Sequence, residues 1–204
     1  MTAIEEILAL SDKSTDHPET RRALYKCAVE SLKDLPACHP VIEFGTLGGG
    51  SALALMAAIL QTDSKRCLIT VDPYLSNPGI SPEFERFDDA YRLAMMLLSQ
   101  VAHQYHLHHI HYKMTAIDYL NTNWNLPHYT GDSAVSRPRF SFVHVDTGHD
   151  ALERGLIQLM IKRSYVIPNG TVLVDDVLPE RDTWLKEEHG GKWISHCECK
   201  VEIK

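Results

Sequence analysis

Hydrophobic residues recur along the chain with two spacings, one typical of helices and one of buried strands. Apolar positions repeat at helical spacing, or dominate, in four segments that we predict to be helices: 18–35, 51–61, 83–104 and 151–165. Short apolar runs predict five buried strands: 40–44, 67–72, 109–113, 140–146 and 171–175. Residues 192–203 alternate loosely and predict a further strand. Segments rich in Pro, Gly, Ser and Asn predict loops or turns at 73–82, 121–138 and 168–170.

Helices and strands therefore alternate through five strands. This alternation is typical of an α/β fold in which a doubly wound, mostly parallel sheet is flanked by helices on both faces, a Rossmann-like architecture. We expect one domain over residues 1–204, with residues 1–37 as an N-terminal helical segment. Ligands of such sheets bind at the carboxyl ends of the strands, so candidate site residues are expected there.

Composition and charge narrow the class of partner. The formal net charge of −7 argues against a nucleic-acid surface, which is usually basic, and favours a small or neutral ligand. No apolar run approaches the roughly 20 residues that span a bilayer, and residues 1–6 lack the pattern of a signal peptide. The five cysteines have no framework spacing, which indicates free thiols in a reducing compartment, and we expect a cytoplasmic protein.

Four of the predicted strands end in acidic residues. They are Glu43 at the end of the first strand, Asp72 at the end of the second, Asp146 at the end of the fourth, and Asp175 with the next residue, Asp176, at the end of the fifth. Since the carboxyl ends of parallel strands share one edge of a sheet, we expect these carboxylates to gather there. Glu43 also opens a glycine-rich segment, Glu43-Phe-Gly-Thr-Leu-Gly-Gly-Gly-Ser51, whose backbone can approach a ligand closely. Many nucleotide-binding proteins share such a loop, and a plain strand–helix turn is the other interpretation.

The charge of Glu43 distinguishes between two kinds of ligand. A carboxylate in the loop repels the pyrophosphate of a dinucleotide, which argues against a nicotinamide-dependent dehydrogenase. S-adenosylmethionine carries an ammonium and a sulfonium group and no phosphate, so it tolerates that carboxylate. Asp72, at the end of the next strand, can accept both hydroxyls of a ribose. Capping of the turn at Pro73 is the alternative role for Asp72.

The segment Val41-Ile-Glu-Phe-Gly-Thr-Leu-Gly-Gly-Gly-Ser51 resembles the first motif of the small O-methyltransferases related to catechol and caffeoyl-CoA O-methyltransferases. It looks closer still to the branch that includes macrocin-type sugar O-methyltransferases and cephalosporin hydroxylase-like proteins. The resemblance covers about residues 38–178 and implies the class I methyltransferase fold with S-adenosylmethionine as cofactor. The cofactor-binding residues that it implies are Glu43, Gly45, Thr46, Gly49, Ser51, Asp72, Thr115, Ala116 and Asp146. Met114 departs from the pattern, because these proteins usually have glycine there.

The acids after the fourth and fifth strands form a second candidate site. If those strands are neighbours, their backbones lie about 4.8 Å apart, and Asp146, Asp175 and Asp176 converge. Carboxylates suit a hard cation such as Mg²⁺, and the resemblance implies the same three metal ligands. His149 stands where the catechol-type enzymes carry a proton-accepting lysine and the macrocin-type branch a histidine, which implies a catalytic base. Local capping of a helix or turn is the alternative for each residue.

The resemblance therefore implies an S-adenosylmethionine-dependent, Mg²⁺-assisted O-methyltransferase. We expect a small hydroxylated acceptor, such as a sugar, a phenol or a natural-product scaffold, and no nucleic-acid or membrane partner. A homodimer is compatible with the sequence. A non-catalytic module that binds S-adenosylmethionine is the alternative, motivated by Met114 and by the short segment after Asp176.

Overall fold

Helices and strands alternate through most of the chain in the computed structural model, which describes residues 2–13, 18–62, 65–74, 87–123, 139–147, 151–162 and 165–204. The helices are α1 (Ala3–Asp12), α2 (Pro18–Leu32), α3 (Gly50–Gln61), α4 (Phe87–Gln104), α5 (Ala116–Asn123), α6 (Ala151–Lys162) and α7 (Trp184–His189). The strands are β1 (Val41–Phe44), β2 (Cys67–Val71), β3 (His108–Tyr112), β4 (Phe140–Val145), β5 (Val166–Val174), β6 (Lys192–Trp193) and β7 (Cys199–Glu202). None of these helices is long and apolar enough to cross a membrane.

The described strands form one sheet in the order β3-β2-β1-β4-β5-β7-β6. Strands β1 to β5 run parallel, whereas β7 pairs antiparallel with both β5 and β6. The strand order reverses between β1 and β4, and a doubly wound sheet opens a ligand crevice at such a point. The prediction of a Rossmann-like, mostly parallel sheet flanked by helices is confirmed.

Side chains of the central strands alternate between two buried faces of the sheet. Ile42 and Phe44 of β1 belong to the core under α6 and α7, whereas Val41 packs with α1, α2 and α3 on the opposite face. α3 is buried along nearly its whole length, because α1 and α2 both pack against it. Glu43 alternates with Ile42 and Phe44, so its side chain lies on the face that α2 and α3 cover.

Helix α1 lies in the segment predicted as N-terminal and helical, but it is not among the four helices predicted from apolar spacing. Thr2 caps its start: the Thr2 hydroxyl accepts a hydrogen bond from the backbone N–H of Glu5 (3.3 Å), and the Glu5 carboxylate accepts one from Thr2 N–H (2.7 Å). This Thr-x-x-Glu capping box is a sequence signal for the start of a helix. The helix buries Ile7 and Leu8, and the Ser11 hydroxyl donates to the backbone oxygen of Gly50 (2.6 Å).

The turn predicted at residues 168–170 is wrong. These residues lie within β5, whose pairing register with β4 shifts between Phe140 and Phe142. Asn169 has a φ of 64°, and its backbone N–H donates to Ile203 O (2.7 Å). The irregularity lets the strand contain a Pro-Asn-Gly sequence, which more often marks a turn.

The segment after β5 completes the sheet. It forms α7 and the antiparallel hairpin of β6 and β7, and β7 lies directly beside β5. The strand predicted over residues 192–203 is therefore two short strands. Because the sheet is extended beyond β5, the short segment after Asp176 no longer favours a non-catalytic module.

Candidate active site

Backbone hydrogen bonds hold the carboxyl ends of the central strands together. Just beyond the paired residues, the N–H of Asp146 donates to Phe44 O (2.8 Å), and the N–H of Asp175 donates to Val145 O (3.0 Å). The residues that follow β4 and β5 therefore stay aligned with the end of β1. The predicted gathering of acidic residues at this edge of the sheet is present in the structure.

The glycine loop between β1 and α3 is packed on one side and open on the other. Gly45 has a φ of +90°, and a Cβ atom there would lie 1.7 Å from the backbone oxygen of Asp146. Only glycine fits, because both the left-handed conformation and the close approach exclude a side chain. Gly49 has a φ of +82° and is the N-cap of α3. At Gly48 a Cβ atom would meet nothing within 4 Å, so the loop is open there.

Asp72 holds this loop in place. Its Oδ2 accepts hydrogen bonds from the backbone N–H groups of Thr46 (2.8 Å) and Leu47 (2.9 Å), and its Oδ1 accepts one from Tyr74 N–H (2.7 Å). The turn-capping role is therefore present. A carboxylate oxygen accepts more than one hydrogen bond, so this role leaves lone pairs for a ribose hydroxyl.

Tyr74 braces the same loop. It has a φ of 46°, its hydroxyl donates to Leu47 O (2.9 Å), and its ring packs edge-on against Tyr91 and His111. Burial, followed by the charges of Asp72 and Glu43, raises the pKa of Tyr74 well above its ordinary value. Its hydroxyl therefore stays neutral and serves as a hydrogen-bond donor.

Glu43 and His144 form a fully buried pair between β1 and β4. The two residues are directly opposite in the parallel pairing, and the Nδ1 of His144 lies 3.1 Å from Oε1 of Glu43. Burial lowers the pKa of His144, but the hydrogen bond to Glu43 and the charges of Glu43, Asp146 and Asp175 outweigh it, so the pKa is raised. The hydrogen bond to Glu43 therefore favours the protonated form of His144 over the neutral form.

Two buried oxygens beside the loop are available to a ligand. Neither Oε2 of Glu43 nor Oγ1 of Thr46 has a hydrogen-bond partner among the described residues. Both side chains are buried, with 0% and 3% of their surface exposed, and buried polar atoms normally have partners. Ser51 is buried in the first turn of α3. These acceptors, with the open side at Gly48, fit the ammonium-bearing methionine part of S-adenosylmethionine.

Thr115 and Ala116 lie at the start of α5, after β3. The Thr115 hydroxyl donates to Oδ2 of Asp118 (2.6 Å) and accepts from Asp118 N–H (3.1 Å), which caps the helix. β3 pairs with β2, and the N–H of Asp72 donates to Tyr112 O (3.2 Å), so this segment begins beside the candidate ribose-binding acid. The arrangement fits residues that border an adenine. Met114 packs against the apolar core on the α6 face.

An arginine lies at the two carboxylates that follow β4 and β5. Nη1 of Arg21, in the first turn of α2, is 3.6 Å from Oδ2 of Asp175 and 4.0 Å from Oδ2 of Asp146. Burial raises the pKa of Asp146 to about 6, while the charges of His144 and Arg21 act to lower it. Asp146 and Asp175 thus converge as predicted, but they converge on a guanidinium group.

Asp176, the third predicted metal ligand, is exposed beyond these two. It has a φ of 59°, and its N–H donates to Oδ1 of Asp175 (2.8 Å). Its backbone oxygen accepts a hydrogen bond from Arg181 Nη2 (3.0 Å). The left-handed backbone at Asp176 supports a local turn, which was the alternative interpretation.

The prediction of an Mg²⁺ site is not supported by this arrangement. The described residues contain no group of three or more His, Cys, Asp or Glu side chains placed to hold a metal ion. An ion on Asp146 and Asp175 would also lie close to Arg21. Two like unit charges 4 Å apart repel by about 4 kcal/mol at an effective dielectric constant near 20, and a divalent ion doubles this. The residues in their present positions do not fit the ion.

Several predicted features fall outside the described residues. They are the candidate base His149, residues 75–82 of the loop predicted at 73–82, residues 83–86 of the helix predicted at 83–104, and residues 124–138 of the loop predicted at 121–138. Residues 121–123 of that last loop are the end of helix α5, so the loop prediction is wrong there.

Three ionisable residues at this edge of the sheet were not predicted from the sequence: Arg21, His144 and Glu198. Arg21 precedes the buried Leu24 by three positions and Ala28 by seven, so it lies on the apolar stripe of α2, which is a recognisable signal. His144 is a polar residue in a wholly buried strand, which also calls for a partner. Glu198 is fully buried, and burial followed by the charge of Asp175 raises its pKa to about 7. Glu198 lies in a segment where apolar and polar residues alternate only loosely, so the sequence does not indicate that it is buried.

No protein-family model matches the chain, and no curated protein matches it in sequence. Solved structures resemble it in fold. The apo structure of CalS11, a TDP-rhamnose 3′-O-methyltransferase of calicheamicin biosynthesis, matches with a TM-score of 0.56 and 12% identity, over 93% of this chain and 81% of that one. The O-methyltransferase NovP matches with a TM-score of 0.58 and 14% identity, over 90% and 80% of the two chains.

The SAH-bound methyltransferase PaMTH1 of Podospora anserina matches with a TM-score of 0.53 and 13% identity, over 100% of this chain and 88% of that one. At these identities the similarity establishes the fold and not the activity. Together with the strand order and the antiparallel β7, it shows that the chain has the class I methyltransferase fold.

Proposed function

We propose that the protein binds S-adenosylmethionine and transfers its methyl group to a hydroxyl oxygen of a small acceptor. The observation that carries the proposal is Glu43, a buried carboxylate in β1, two residues before Gly45 of the glycine loop, whose Oε2 has no hydrogen-bond partner among the described residues. A carboxylate oxygen without a partner accepts a hydrogen bond from an ammonium group, whereas a phosphate oxygen cannot donate one to it. In a class I methyltransferase fold, this favours S-adenosylmethionine over a dinucleotide.

The cofactor would lie along the carboxyl ends of β1, β2 and β3. Glu43, Thr46 and Ser51 would hold its methionine part, with the backbone of Gly45 and Gly49 shaping the loop. Asp72 would accept the ribose hydroxyls, Thr115 and Ala116 would border the adenine, and Asp146 would lie beside the reacting end. Bound S-adenosylmethionine supplies an electrophilic methyl group on its sulfonium.

The acceptor would lie beyond β4 and β5, beside Asp146 and Asp175. His149 would accept the proton of the acceptor hydroxyl, since a histidine titrates near neutral pH. Holding the oxygen and the methyl carbon in line supplies most of the acceleration in such a reaction. The sugar acceptor named for CalS11 supports hydroxylated small molecules, sugars among them, as the first class to test.

A screen of hydroxylated acceptors with labelled S-adenosylmethionine tests the reaction. We expect labelled product with at least one sugar, phenol or natural-product scaffold. Cofactor binding without transfer to any acceptor would favour the alternative of a non-catalytic binding module, which the departure at Met114 motivates. A protein that does not bind the cofactor would contradict both functions.

The role of His149 is tested by comparing His149→Ala with His103→Ala, a control at an exposed histidine near the end of α4. Loss of the base should lower kcat by about 100-fold or more and leave cofactor affinity unchanged. The control should keep the kcat of the wild type. Full turnover by His149→Ala would refute the assignment.

A further inference from the structure

We propose that Arg21 is the built-in cation of this site: it holds Asp146 and Asp175 in position, and methyl transfer proceeds without a divalent metal ion. The inference rests on the proposed function for its catalytic meaning. Its physical basis is the place of the guanidinium group, which lies where a metal ion on the two carboxylates would lie. Arg21 is a positioning residue in this account, since it acts through the carboxylates.

The position of Arg21 follows from how α2 lies on the sheet. Near the end of the helix, the Ser31 hydroxyl accepts a hydrogen bond from Thr171, at the middle of β5 (3.0 Å). At the start of the helix, Arg21 meets Asp175, just after β5. The helix therefore runs antiparallel to β5. Its first turn, with the positive end of its dipole, is fixed at the carboxyl edge of the sheet, where the acids lie.

The guanidinium group of Arg21 is largely buried beside the two carboxylates. Only 18% of the Arg21 side chain is exposed, and its Nε and Nη1 donate no hydrogen bond to any described residue. Nη1 is close enough to both carboxylates to attract them, yet too far from either for a short hydrogen bond. Arg21 therefore neutralises the acid pair as a shared charge and retains donor capacity for a further oxygen.

The neighbouring Arg22 lies on the same helix but outside the candidate active site. Arg22 points away from the site and forms an ion pair with Asp12 at the end of α1, with Nε 3.1 Å from each carboxylate oxygen. Its side chain is 41% exposed. Arg22 is therefore a matched control for Arg21, with the same side chain on the same helix.

Magnesium titration by calorimetry, without cofactor or acceptor, tests the central part of the proposal. We expect no heat from wild type or Arg22→Met at millimolar Mg²⁺. Arg21→Met keeps an apolar stem but frees the two carboxylates, so it should gain Mg²⁺ binding, and Asp175→Asn in that background should abolish it. Wild-type Mg²⁺ binding that Asp175→Asn removes would overturn the proposal, even if Arg21→Met failed to fold.

Turnover of an acceptor found by the screen tests the positioning role. Wild-type turnover should be insensitive to chelator. Arg21→Met should lower kcat by about 100-fold with the cofactor Kd unchanged, because the carboxylates lose their alignment. Arg21→Lys should restore much of the lost kcat, and the kcat of Arg22→Met should stay within a factor of about two of the wild-type value. Behaviour of Arg21→Met like that of Arg22→Met in both turnover and Mg²⁺ binding would refute the proposal. If no acceptor is methylated, the proposed reaction fails, while the calorimetry still decides the role of Arg21.

Discussion

At the carboxyl edge of the sheet, the contacts of single residues determine which residue type can stand at each position. Gly45 lies against the backbone of Asp146, and Glu43 shares a hydrogen bond with His144. Asp72, just after β2, accepts hydrogen bonds from the backbone of the glycine loop. The sequence alone predicts that the acids lie at this edge, because each follows a recognisable strand. It does not predict Arg21, whose contact with Asp175 depends on the register between α2 and β5.

Replacing Gly45 with alanine should destabilise the fold strongly. The new Cβ would overlap the backbone oxygen of Asp146 at 1.7 Å, and the residue would keep a positive φ. We expect a loss of at least about 3 kcal/mol in the free energy of unfolding, measured by urea denaturation. Gly48→Ala is the control, since its Cβ meets nothing within 4 Å and should leave stability nearly unchanged. Equal stability of the two variants would show that the close approach at Gly45 is wrong.

Glu198 should make the protein less stable as the pH rises. Burial, followed by Asp175, raises its pKa from 4.5 to about 7 in the folded protein, so folding favours the protonated form. The contribution to stability is complete below pH 4.5 and is lost as the pH rises through 7. Glu198→Gln should therefore match wild type near pH 4.5 and be more stable by about 2 to 3 kcal/mol at pH 8.

The control for this pH effect is Glu202→Gln, at the end of β7, the strand that directly follows Glu198. Lys200 lowers the pKa of Glu202, so its contribution has the opposite sign and is lost only as the pH falls. Denaturation curves at both pH values measure the difference. If Glu198→Gln raised the free energy of unfolding equally at pH 4.5 and pH 8, the raised pKa of Glu198 would not be the cause of the effect.

Elements of the fold were predicted to different degrees, for physical reasons. The central strands are strongly apolar, and α3, α4 and α6 have 12 to 18 residues, so their order could be derived from periodicity. Helix α5 has only eight residues and was not predicted. Helix α1 was not predicted as a separate helix, although its capping box marks its start and Ile4, Ile7 and Leu8 recur at helical spacing. The irregular backbone of β5 at Asn169 depends on pairing with β4 and on Ile203, and local sequence does not contain those contacts.

Helix α1 should contribute to stability through the side chains that it buries against α3. Ile7 is fully buried, whereas Leu10 on the same helix is 36% exposed. We expect Ile7→Ala to cost about 3 kcal/mol of the free energy of unfolding, because it leaves a cavity. Leu10→Ala should cost less than about 1 kcal/mol. Urea denaturation of both variants measures this, and a similar cost for the two would mean that α1 is not docked as described.

The whole molecule combines a fold that could be predicted with a site that could be predicted only in part. Alternating elements predict the Rossmann-like sheet, and the resemblance of residues 41–51 to small O-methyltransferases implies the class I methyltransferase fold and the candidate cofactor residues. The structure does not support the predicted metal site. The positions of Asp146, Asp175 and Asp176 in the sequence do not show that helix α2 places Arg21 beside the first two. The charge at this edge depends on α2 as much as on the strands.

Calorimetric titration with S-adenosylmethionine, beside NAD, tests the account most directly. We predict saturable binding of S-adenosylmethionine with a Kd below 1 mM, in the ordinary range for an enzyme ligand, and no binding of NAD. Asp72→Asn should weaken the binding, and Gln substitution of the exposed Glu202 should leave it unchanged. Absence of S-adenosylmethionine binding at millimolar concentration by the folded protein, or tighter binding of NAD, would contradict the account.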